Sequence, residues 1–194
     1  MKIALLNAHT SYAQGASASH GGVLYKEYEW SCKINKAIKS IFECEGISSY
    51  IIDASSIEPY NKSLSYKASL VNKDPEISVA IETHFNSAPL SVFNNTSTGL
   101  EVLYAEDRVE CEKFAKDMVI VLSERLPFKI RRKDGLYPID RNKIYILNYI
   151  LCPVIIIELL FVSNPLDVAF LLHPRAVDVI ALAIHDGIEK HLIS

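Results

Sequence analysis

The sequence predicts an α/β domain of three layers, α/β/α, with a mostly parallel central sheet whose ligands sit at its carboxyl edge. Three observations lead there. Lys2–Asn7, Ile77–Phe85 and Val154–Ile157 are apolar, largely β-branched runs without polar alternation, as strands covered on both faces by helices are. Segments with apolar residues at helical spacing lie between them, which is the α/β alternation. Each of the three runs also delivers a reactive side chain: His9 just after the first, His84 near the end of the second, and Glu158 directly after the third. In open α/β sheets, ligands bind outside the carboxyl ends of the strands.

Taken in order, the first strand runs into a polar, small-residue loop, Thr10–Gly22, of a length that is often functional. A helix is predicted from near Tyr25 or Lys26 to Cys44, with Ile34, Ala37, Ile38, Ile41 and Phe42 on one face and Gly46 as its cap. Ser49–Ala54 reads as a strand, Pro59–Ser65 as a polar connection, and Tyr66–Asn72 as a short helix. After the central run comes a Ser-, Asn- and Thr-rich loop, Ser87–Gly99, then a strand at Leu100–Tyr104 and a helix over Val109–Arg125. Ile144–Leu147 reads as a short strand. The tail, Pro165–Leu192, reads as two helices divided at His173-Pro174. There is no internal repeat, low-complexity segment or linker.

Composition narrows the function classes. A chain of 194 residues with 49% hydrophobic content fits one domain with a real core. A formal net charge of −3 gives no reason to expect nucleic acid as a partner, and the basic run Lys129–Lys133 reads as a solvated strand end or loop. Cys32, Cys44, Cys111 and Cys152 show no CxxC pair. Cys32, Cys44 and Cys152 lie in or beside apolar patterns, which favours buried free thiols and a reducing compartment. No segment approaches the roughly 20 apolar residues of a membrane span. The amino terminus goes from one lysine straight into a strand, unlike a signal peptide, so the chain is expected to be cytoplasmic as synthesised.

Two histidines and a glutamate are a known ligand set for catalytic zinc, which keeps a further position for water. His9 and His84 are the histidines placed at strand ends, although each read alone is an ordinary polar residue. Glu27 and Glu29 open the first helix, where the helix dipole favours acidic side chains in any case, and the pattern leaves both open. Glu158 is harder to explain as structure. It stands between Val154–Ile157 and Leu159–Phe161, and a carboxylate there needs a partner, a metal or a catalytic role. Glu82 shares a strand face with His84 and is read either as its partner or as facing solvent. His20, beside Gly21-Gly22, and His173, His185 and His191 are read as surface or helix-end groups.

Several segments together resemble the zinc-dependent N-acetylmuramoyl-L-alanine amidases of the amidase-3 type, phage endolysin catalytic domains in particular. They are the strand leading to His9 with Gly15-Ala16 beyond it, the helix start Lys26-Glu27-Tyr28 with Asn35, and Asn72 ahead of Glu82-Thr83-His84-Phe85-Asn86. Thr98-Gly99-Leu100-Glu101-Val102 and Pro153–Pro165 (PVIIIELLFVSNP) complete the match. One departure is Ala8-His9-Thr10-Ser11, where the family often has Gly-His-Gly-Gly. The resemblance implies that His9, Glu27 and His84 hold one Zn2+, with Glu27 preferred over Glu29 by its Lys-Glu-Tyr context, and that Glu158 is the catalytic carboxylate. It implies a peptidoglycan hydrolase that cleaves the amide between N-acetylmuramic acid and L-alanine of the stem peptide, using zinc-activated water and a glutamate general base. Residues 1–194 are then one catalytic amidase domain with no separate wall-binding domain, acting on the cell wall after release. A zinc exopeptidase or carboxypeptidase on the same fold, and a non-catalytic wall-binding module, are the rival readings.

Overall fold

A computed structural model describes residues 1–88 and 97–194. Its main sheet has six strands: β1 (Lys2–Asn7), β4 (Ser48–Ile52), β5 (Ile77–Asn86), β6 (Glu101–Ala105), β7 (Leu136–Ile139) and β8 (Val154–Phe161). They lie in the order β4-β1-β5-β8-β6-β7. β4, β1, β5 and β8 are mutually parallel, whereas β6 runs antiparallel to β8 and carries β7 parallel to itself. The expected mostly parallel α/β sheet is therefore present, with a reversed pair at one side. β7 escaped the sequence reading; it is a short edge strand, where Pro138 is tolerated because one backbone side needs no ladder donor.

Helices cover both faces. α1 (Glu27–Cys44), α3 (Val109–Arg125) and α6 (Ala176–Ile193) pack side by side, α6 lying between the other two. Ile34, Ile38 and Phe42 of α1 and Phe114, Met118 and Leu122 of α3 are fully buried. α2 (Tyr60–Lys73) and α4 (Tyr145–Tyr149) pack together against other parts of the sheet, and α5 (Pro165–Leu171) follows β8. No single helix among the described residues is long and apolar enough to cross a membrane; α5 and α6 meet that criterion only as a pair bent by 92°.

Three expected segments differ. The loop Thr10–Gly22 contains half of a hairpin, β2 (Ser17–His20) with β3 (Val23–Lys26), because Gly21 and Gly22 at φ 58° and 81° supply a two-residue turn. The connection Pro59–Ser65 is mostly helix: α2 begins at Tyr60, and Ser63 is buried on the same stripe as Lys67 and Val71. Ile144–Leu147 is not a strand, since α4 spans Tyr145–Tyr149; so short an apolar run carries no period that separates the two. The four cysteines are free thiols, but Cys44 is exposed at the solvent side of the last turn of α1. His185, read as a surface group, is buried. The loop read over Ser87–Gly99 lies largely outside the described residues.

The topology creates a crevice. From β1 the chain passes through α1 to β4 on one side; from β5 it goes to the other side, towards β6. The carboxyl ends of adjacent β1 and β5 are thus a switch point, where connections leave in opposite directions and a ligand can enter.

Candidate active site

His9 and His84 arrive at this crevice from β1 and β5. His9 follows the strand by two residues at φ 59°, an unusual left-handed conformation for a side chain with a Cβ. The turn is held from two sides. Ser31 of α1 accepts a hydrogen bond from the Ala8 amide at 2.9 Å, and the Asn35 amide group donates to the Leu6 carbonyl at 2.9 Å. Asn35 thus anchors the strand that carries His9.

Glu27, the first residue of α1, reaches between the histidines. Its Oε2 lies 3.0 Å from His9 Nε2 and accepts from the Ala16 amide at 2.6 Å. Its Oε1 lies 2.7 Å from His84 Nδ1 and accepts from the Phe85 amide at 3.1 Å. Burial by itself would raise the carboxyl pKa, but the hydrogen bonds and charge of His84 and His9 hold it well below the usual carboxylate range. Gly15 makes this approach possible: a Cβ there would stand 2.3 Å from both Glu27 Oε2 and His9 Cδ2. Glu29, the alternative acidic residue, pairs instead with Lys26 at 3.0 Å near the surface.

Each imidazole has a second partner behind it. His9 Nδ1 is 3.4 Å from the Tyr60 hydroxyl, and the two rings stack with centroids 5.8 Å apart. His84 Nε2 is 3.1 Å from Glu82 Oε2, an ion-pair contact that lies off the hydrogen-bond axis. Glu82 is buried and bound by Lys67 at 2.9 Å, so the solvent-facing reading of Glu82 is overturned.

Glu158 stands beside this group. His84 and Glu158 are register partners between β5 and β8, and Glu158 and Glu101 between β8 and β6. Cross-strand partners point to the same face, so the three side chains form one row. Glu101 is neutralised by Arg131 at 2.9 Å and Arg132 at 2.8 Å, so part of the basic run is pinned rather than merely solvated. Glu158 has no such cation, and its Oε2 is buried without a hydrogen-bond partner among the described residues. Burial raises its pKa to about 7; the positive charge of His84 opposes this, and the carboxylates of Glu27, Glu101 and Glu82 reinforce it. It opens with His84, Glu82, Tyr60 and Tyr145 onto a cleft of about 260 Å³.

The Pro153–Pro165 segment has a structural logic of its own. Asn164 caps α5 by accepting from the Leu166 amide at 2.9 Å, Pro165 fills the first helical position, and Ser163 accepts from the Ala88 amide at 2.9 Å. Asp167 accepts from the Phe161 amide at 2.9 Å and the Gly99 amide at 3.1 Å. These bonds fix the end of β8 three residues beyond Glu158. His20 lies outside the cluster, with Nε2 2.7 Å from the Val162 carbonyl.

Ligand atoms of His9, Glu27 and His84 all lie within 4.8 Å of one another, a donor set and spacing that fit a small divalent cation. Sequence reasoning missed Lys67 and Tyr60. The available signal was a lysine on the same helical stripe as Ala68 and Val71, where a solvated lysine does not belong.

Fold and site together define an α/β protein with a candidate metal-ligand group at a sheet switch point. The chain belongs to the N-acetylmuramoyl-L-alanine amidase family Amidase_3, whose model matches residues 3–190, and this places it among the peptidoglycan amidases that cleave the bond between N-acetylmuramic acid and L-alanine. Solved structures agree in fold. The CwlD amidase from Clostridioides difficile, determined in complex with the GerS lipoprotein, is 20% identical with a TM-score of 0.84, covering 99% of this chain and 98% of that one. The catalytic domain of CwlV from Bacillus (Paenibacillus) polymyxa var. colistinus is 18% identical with a TM-score of 0.81, covering 99% and 98%. The catalytic domain of an endolysin targeting Clostridia difficile is 25% identical with a TM-score of 0.78, covering 97% of each chain. No curated protein sequence matches the chain.

Proposed function

We propose that this amidase works with one zinc ion held by His9, Glu27 and His84, and that Glu158 is its proton-transfer group. The observation that carries the reading is the contrast between two neighbouring carboxylates: Glu27 is locked between two imidazoles, whereas Glu158 keeps a buried oxygen without a hydrogen-bond partner among the described residues and lines a cleft with His84. Bound there, the ion would supply a Lewis acid that polarises the amide carbonyl and makes water more acidic.

The chain's own residues supply the rest. Glu27 is held towards its ionised form by both imidazoles and two backbone amides, so it offers a carboxylate to the site. Glu158, with a pKa of about 7 before any cation binds, can take a proton from water on the attack side and return it to the departing amine. A neighbouring dication would lower that value and favour the base form. Leu103, Ile144 and Ile156 give the cleft apolar walls beside the charged row. Within residues 1–194, all of this chemistry falls to one catalytic domain, with peptidoglycan as substrate.

Digestion of purified peptidoglycan tests the reaction. The expected products are new free L-alanine amino groups and muramic acid without peptide, with activity that a zinc chelator abolishes and added zinc restores. Release of single amino acids from free peptide ends would point to an exopeptidase, and no products at full zinc loading to a binding module.

A further inference from the structure

Lys67 is a lysine with no accessible surface, on the α2 stripe that also buries Ser63, Ala68 and Val71. An ammonium has three N–H donors, and here they meet three acceptors. It donates to the Asn7 carbonyl, to the His9 carbonyl at 3.3 Å and to Glu82 Oε1 at 2.9 Å. Asn7 ends β1, the His9 carbonyl belongs to the turn that presents one imidazole, and Glu82 lies on β5 two residues before the other. One buried charge therefore ties together both histidine-bearing segments. The other oxygen of Glu82 is 3.1 Å from His84 Nε2, on the far side of the ring from Glu27, which faces Nδ1 at 2.7 Å.

We infer that Lys67 and Glu82 are positioning residues for the metal centre: Lys67 locks the His9 turn to β5, and Glu82, packed against the Nε2 side of the ring, holds His84 with Nδ1 facing Glu27. The inference rests on the ligand set proposed above. Which nitrogen of a histidine binds a metal is set by what the other nitrogen meets, and such carboxylate partners typically contribute about 10–100-fold in metal affinity. A purely space-filling role explains the pair poorly. Apolar side chains of similar volume fill a buried site without the desolvation cost of two ions, so an ion pair is a poor choice for packing alone. The three contacts of Lys67 all end on the segments that carry the two histidines.

The test is a zinc competition titration against a chelator on the full chain, with thermal melting of the same samples after metal removal. Three proteins are compared: wild type, the double variant Lys67→Met/Glu82→Leu, which removes both charges together, and Glu82→Gln, which keeps the size of the side chain. The expected result is zinc binding weaker by about 10–100-fold in the folded double variant and by about 10-fold in Glu82→Gln. Wild-type affinity in a folded double variant overturns the positioning role. If the double variant does not fold, Glu82→Gln decides by the same titration, and wild-type affinity there overturns it equally. A wild-type chain that takes up no zinc sinks the ligand set itself, an outcome distinct from variants that load as well as wild type.

Discussion

Among the described residues, two places bring histidine and carboxylate side chains within metal-binding distance: His9, Glu27 and His84 at the sheet edge, and Glu45, His185 and Glu189 where α1 meets α6. By donor type alone they look alike. They differ in what else holds the groups. At the sheet edge, three separate segments would each supply one ligand, and each imidazole has one nitrogen facing Glu27 and the other backed by a different residue. In the second cluster, both nitrogens of His185 are taken by carboxylates, Glu45 at 2.8 Å and Asp186 at 3.0 Å, and the ring packs on Phe42 with centroids 4.6 Å apart. Glu189 is one turn along the same helix, and Glu45 is exposed. His185 thus ties the end of α1 to α6. Proximity of ligand-type residues does not define a site; a nitrogen left to face inward from a rigid support does.

The largest expected effect separates the two clusters directly. His9→Ala and His84→Ala should each lose zinc and all measurable amidase activity, because two remaining ligands on an open edge do not complete the set. His185→Ala should keep both, at some cost in stability. Elemental analysis and peptidoglycan digestion of the three proteins decide it; zinc lost from His185→Ala alone would reverse the assignment.

A smaller effect concerns the electrostatic cost of Glu158. Its pKa in the folded, metal-free chain is raised from 4.5 to about 7. The protonated form is therefore favoured by folding, so stability from this group is complete below about pH 4.5 and is lost as pH rises through about 7. Glu158→Gln should leave metal-free stability unchanged near pH 4 and increase it above pH 7, by roughly 3 kcal/mol at most at 1.36 kcal/mol per pKa unit. Thermal or urea melts of both proteins across that range measure it. A gain that is the same at pH 4 and pH 8 would mean that burial and neighbouring carboxylates do not disfavour the ionised form.

Much of this was legible from residue order. Parallel strands buried on both faces leave long apolar runs, so β1, β5 and β8 stood out, and the residues following them marked the carboxyl edge. Glu158 stood out because a carboxylate inside such a run conflicts with its surroundings. Lys67 conflicts in the same way, but a lysine on a half-polar helix is normally solvated, and its three acceptors come from segments 15 to 60 residues away. The Glu27 to histidine geometry was likewise hidden, because it depends on the left-handed turn at His9 and the close approach of Gly15. The α2 start and the β2–β3 hairpin were missed where polar residues on one face masked the short-range pattern. Local sequence reports periodicity well and long-range pairing of charges poorly.

The proposed division of labour sets Glu27, locked as a ligand, against Glu158, left to move a proton. Glu158→Gln measures that division most directly, with zinc content and turnover on peptidoglycan determined on the same preparation. The side chain keeps its size, and none of the three ligands is altered. The predicted result is a folded protein with a full equivalent of zinc and turnover reduced by about 10²–10⁴-fold, the usual contribution of a positioned proton-transfer group. A zinc-loaded Glu158→Gln protein with wild-type turnover would contradict the account, and so would one that cannot hold zinc.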